Sequence, residues 1–176
     1  MIFRAILDRF KGKRETEEDG MPYSIVLLLK EHRIFSVEEL QAAGQRAWGK
    51  RFDGTEDAMY FVVQKGGITM MKAGRYVVQL LHASQPYLGE PEEIARQLPH
   101  EEQRRAWLQH TAWAALDFWG KEPLEEEAYA VLARFALQLG DPNCCAVYVP
   151  KAQMLMANDG TAETGLRMMI DAFQVA

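Results

Sequence analysis

"WLQHTAWAALDFWG" (residues 107–120) holds three of the chain's four tryptophans and one of its four histidines. Whether it is helix or strand decides the fold. As a helix it would continue from Glu101 and stop at Gly120, with Ala112, Ala114, Ala115 and Leu116 as good helix formers. Its apolar residues would then run right round the axis, which demands burial on every side. As a strand it places His110, Ala112, Ala114, Leu116 and Phe118 on one face, and Gln109, Thr111, Trp113, Ala115, Asp117 and Trp119 on the other. Periodicity leaves both readings open; the strand is carried forward.

Working outward, "YSIVLLLK" (23–30) behind Pro22 reads as a buried strand. In "FSVEEL" (35–40), Ser36 can cap a helix while Glu39 reaches back to it, and Phe35 and Leu40 can close across the cap, so a helix over 37–48 follows. Residues 58–84 supply two or three strands, with Gly66-Gly67 as a hairpin turn and Ala73-Gly74 as a second turn or a bulge. "EPEEIARQL" (90–98) starts a helix whose spacing continues past Pro99 as one long element. Pro123 and Gly140 bracket another helix. "CCAVYV" (144–149) reads as a short strand, and Thr161 can cap a last helix through Phe173. This order predicts an α+β fold, a mostly antiparallel sheet with helices packed on one face.

The domain reading is an N-terminal helix and charged linker over 1–20, then one α+β domain over 21–176. Ile2, Phe3, Ile6, Leu7 and Phe10 recur at helical spacing. Such a helix can dock on its own domain, on a partner, or on a membrane surface with Arg4, Arg9, Lys11, Lys13 and Arg14 facing lipid phosphates. The chain has 176 residues, 48% of them hydrophobic, and a net charge of -5 from 20 basic and 25 acidic residues. That balance argues against nucleic acid as a partner. No apolar run approaches the length of a transmembrane span, and the N-terminus lacks a secretory h-region, so a cytoplasmic protein is expected. Cys144 and Cys145, adjacent in a strand, would point to opposite faces, which suits a reducing compartment rather than a disulfide framework.

His110 and Ala112 before an apolar strand, a helix near 124–139, and Ala146 to Leu155 together resemble a bacterial family of unknown function. Trp113 stands where that pattern carries a second histidine. The resemblance implies a bacterial origin and an α+β fold, and no activity.

For chemistry, His82, Ser84 and His110 are the candidate catalytic residues. His82 and Ser84 would share one face at a strand end, where a general base is well placed. Each histidine also has a plain structural reading as a satisfied group inside the fold. "HEEQR" (100–104) has Arg104 where a zinc helix needs its second histidine. Phosphate-binding glycine loops and a Gly-x-Ser-x-Gly elbow are absent, and no cofactor or metal is expected. Cys144 and Cys145 have no nearby cation to favour a thiolate. The expected function is therefore non-enzymatic: binding a protein partner, or self-association. Met168, Met169 and Phe173 would form a surface for it if the last helix exposes them together. The alternative is a small hydrolase or transferase with a histidine-lined cleft.

Overall fold

The computed structural model describes residues 21–120 and 123–175. The expected helix over the first eleven residues and its linker lie outside these. Among the described residues, seven strands and five helices follow one another. They are β1 (Ser24–Leu29), α1 (Val37–Trp48), β2 (Tyr60–Lys65), β3 (Ile68–Ala73), β4 (Tyr76–Ala83), α2 (Pro91–Ala95), α3 (Glu101–Gln109), β5 (Ala112–Trp119), α4 (Glu125–Leu139), β6 (Cys144–Val149), β7 (Met154–Ala157) and α5 (Thr161–Ala172). The strands form one sheet in the order β2-β3-β4-β5-β1-β6-β7. Every neighbouring pair is antiparallel. The fold is α+β.

The opening stretch divides at its histidine. α3 ends at Gln109, His110 takes an extended backbone as the helix cap, and β5 starts at Ala112. From there the expected alternation holds. Ala112, Ala114 and Leu116 enter the larger core, while Trp113 and Ala115 pack into a smaller core on the opposite face. His110 itself stands outside the strand and does not share the alanines' face by register.

The larger core lies between the sheet and three helices. α4 packs against β1 and β5, α1 against α4 and the β2–β3 hairpin, and α5 against α4 and β7. α1 starts as its sequence dictates: the Ser36 hydroxyl accepts from the Glu39 N–H at 3.2 Å, and the Glu39 carboxylate accepts from the Ser36 N–H at 2.8 Å. Gly49 closes it in the left-handed region that glycine enters without penalty. The Gly66-Gly67 turn has positive φ at both positions, matching the twist of the hairpin it joins.

A second helical layer, smaller and not foreseen, covers part of the other face. There α2, α3 and the connection between them bring Ile94, Leu98, Ala106 and Trp107 against Val26, Leu28, Ala146 and Tyr148. The expected long helix over 90–108 is two helices. Proline offers no N–H and pushes the residue before it out of helical geometry, so Pro99 breaks the run at Leu98. β7 was also not foreseen, and the last helix is capped by Gly160, with Thr161 as its first residue.

This arrangement accounts for a difference between strands. β1 and β6 have helices on both faces and are buried at every residue. β3 and β4 have helices on one face, and their burial alternates over most of their length. The other face of β2, β3 and β4 is crossed by no described element.

Candidate functional site

Among the described residues, the two histidines picked out for chemistry have separate hydrogen-bond partners. His110 is 2% exposed. Its Nδ1–H donates to the Trp107 carbonyl, and its Nε2 accepts from the Tyr87 N–H at 3.0 Å. The Trp107 indole meets the imidazole edge to face, with ring centroids 4.9 Å apart. Burial holds the His110 pKa below its ordinary value, so the ring is neutral with both nitrogens occupied. That is a structural histidine, tying the end of α3 to the segment after β4. Ala112 and Ala114 are covered by the larger core, so no cleft opens beside them.

His82 and Ser84 lie at the far end of β4 and are both exposed. The partner of His82 is His32, whose Nε2 lies 3.0 Å from His82 Nδ1. Among the described residues, no hydrogen bond joins His82, Ser84 and His110. Nothing local in the sequence signals the histidine pair, since His32 sits in a charged connection 50 positions away.

The two cysteines take opposite faces, as adjacent strand residues should: Cys144 in the larger core, Cys145 in the smaller. Both are free and buried. Burial pushes Cys144 up to about 12 and Cys145 to about 11, so neither is a ready nucleophile. His100 caps α3 by its backbone alone, and Arg104 donates to the Leu98 carbonyl at 2.6 Å. A shallow open depression of about 220 Å³ lies beside α1, lined in part by Gln41, Gln45, Arg51 and Asp53. Its Asp53 accepts from the hydroxyl and N–H of Thr55, which hold its carboxyl down to about 2. Among the described residues, no group of three or more His, Cys, Asp or Glu converges as a metal site would require.

Of Met168, Met169 and Phe173 only Met168 is widely exposed; Met169 packs against the larger core. The expected helical surface of Met168, Met169 and Phe173 does not form.

The unusual surface is on the sheet. A strand covered on one face places polar residues on the other. On the uncovered face of β2–β4 and the adjoining part of β5 that rule fails. Reading across the register, Phe61, Lys72, Val77 and Trp119 make one row. Val63, Met70, Gln79 and Asp117 make the next; beyond it on the same face stand Ile68, paired with Lys65, and Leu81, paired with Ala115. Trp119 is 62% exposed, Ile68 53%, Val63 45% and Leu81 37%. Asp117 accepts from the Ser24 hydroxyl at 2.5 Å and marks the polar border toward β1.

Exposed apolar side chains gathered on one face often mark an interaction surface. The edge strand β2 is bridged on its outer side at Phe61 by Asp53, with the Gly54 N–H donating to the Tyr60 carbonyl at 3.0 Å, and is flanked there by no other described strand of the sheet. Sequence reading missed the site because these residues looked like core. The signal lay in their outward register positions, visible only once the covering helices are placed.

No family model, curated protein or solved structure matches the chain. Among the described residues no helix is long and apolar enough to cross a membrane.

Proposed function

We propose that this is a non-enzymatic protein-binding domain that works by self-association, the open face of β2, β3, β4 and β5 being its contact surface. The carrying observation is that Val63, Ile68, Leu81 and Trp119 stand exposed on one sheet face where polar residues belong. A second copy fits it. Two sheets pack face to face with strands nearly aligned, and an isologous contact sets the same patch against itself. The face carries both signs of charge, Lys72 and Asp117, so a two-fold arrangement need not oppose like charges. With this reading go a bacterial origin and a cytoplasmic location, both resting on the sequence alone.

The test is light scattering of the full chain beside an Ile68→Glu, Trp119→Glu double variant. Both positions are exposed, so folding stability should change little. The wild type is expected to run as a dimer and the variant as a monomer with the same far-UV spectrum. A monomeric wild type, or a dimer indifferent to the two glutamates, refutes the proposal.

A further inference from the structure

Two elements bring His32 and His82 together at one end of the sheet. His82 is set in β4 by its pairing opposite Ala114. His32 follows β1 in a connection that looks free in sequence, yet its neighbours are pinned on both sides. The Lys30 N–H donates to the Asn143 carbonyl at 2.8 Å, and the Lys30 carbonyl accepts from the Thr111 hydroxyl at 2.6 Å. The Asn143 amide bonds both the N–H and the carbonyl of Glu31, each at 3.0 Å. On the other side, the Arg33 guanidinium pairs with Asp141 and Glu39. Those bonds fix the backbone that carries His32. They also balance the nearest positive charge with two carboxylates.

The two facing nitrogens are 3.0 Å apart, with ring centroids at 5.1 Å and the planes tilted by 45°. When both rings are neutral, one proton sits between the nitrogens. A metal cation in its place would use both lone pairs. Metal–nitrogen bonds of about 2.0 Å put two ligands about 2.8 Å apart at a right angle and about 3.3 Å apart at a tetrahedral angle. The observed nitrogen separation lies between these, and the 5.1 Å between ring centroids fits the tetrahedral angle, since a right angle would bring the centroids to about 4.5 Å. Both rings are exposed, which leaves the remaining positions to water.

We propose that His32 Nε2 and His82 Nδ1 form a two-imidazole site for a divalent late first-row transition-metal ion, Cu²⁺ bound most tightly in keeping with the general order of divalent affinities. With two protein ligands it is far weaker than a four-ligand structural zinc site.

The test uses the full chain and Cu²⁺ alone, with binding followed by calorimetry and ligand nitrogens counted by pulsed electron paramagnetic resonance. The variants are His32→Gln and His82→Gln; His100→Gln, an exposed histidine at the start of α3, is the comparator. The wild type and His100→Gln are expected to bind one tight equivalent through two imidazoles. Each of the other variants should bind at least tenfold more weakly and show one imidazole. The proposal is overturned if the wild type binds no such equivalent, if both substitutions leave it unchanged, or if His100→Gln removes it.

Discussion

Replacing His110 by glutamine separates a structural histidine from a catalytic one by its pH signature. Above neutral pH the variant loses the buried bond from Nδ1–H to the Trp107 carbonyl, while its amide oxygen can still accept from the Tyr87 N–H. One buried acceptor left unsatisfied costs about 1–3 kcal/mol. The pH dependence is the sharper readout. Burial lowers the folded-state pKa of His110, so below the ordinary histidine value the unfolded chain binds the extra proton and the folded chain resists it. The sign follows: wild-type stability is complete above about pH 6.5 and falls as the pH drops, by up to about 1.4 kcal/mol per unit until the folded-state value is reached. The variant lacks this loss. The stability gap between the two chains should therefore narrow by up to about 1.4 kcal/mol between about pH 7.5 and 5.5. Urea unfolding followed by tryptophan fluorescence across that range measures it, and His32, His82 and His100 cancel because both chains carry them. A gap that stays constant or widens on acidification would refute the claim that His110 is held neutral in the fold.

Four further outcomes follow from the packing. Ser36→Ala should cost about 1 kcal/mol in thermal or urea unfolding, the usual loss at a capped helix start, because the Glu39 N–H loses its acceptor. Leu27→Ala should cost about 2–5 kcal/mol, since Leu27 is fully enclosed in the interior strand β1 and a cavity would remain. Gly44→Ala improves helix propensity by about 1 kcal/mol, yet its new methyl would stand 2.6 Å from ring carbons of Phe52, a side chain itself wedged among Trp48, Tyr60 and Phe135. Overpacking of about 1–3 kcal/mol should win, and a stabilised variant would show that the ring moves freely. Cys144 and Cys145 should react with a thiol reagent only as fast as the chain opens, so labelling should accelerate in step with urea-induced unfolding; fast labelling of the native protein would contradict their burial.

What the sequence disclosed was local, and what it hid depended on where distant segments land. The Ser36–Glu39 box, the double-glycine hairpin and the two-faced apolar run of β1 each follow from rules acting within a few residues, and each is in the structure. Pro99 overrode a helical period that its neighbours kept up on both sides. β7 escaped because "MLMA" contains no β-branched or aromatic residue; its strand character comes from pairing with β6. The meeting of His32 and His82 depends on β5 lying between β1 and β4, a matter of strand order on which no local rule bears.

The open face combines both kinds of information. Ile68, Met70, Val77 and Leu81 alternate with Thr69, Met71, Val78 and Leu80 along their hairpin, so the sequence makes both sides of these strands apolar. In β1 the same composition is satisfied by helices on both faces; in β3 and β4 α2 and α3 fall short, because they dock on the side of the sheet built from β1, β6 and β7. A chain that only had to fold could place lysine or threonine at Ile68 and Leu81 with little loss of stability. Keeping apolar side chains there serves burial only if something outside the described fold supplies the second layer, and a like sheet face is the simplest surface that does so.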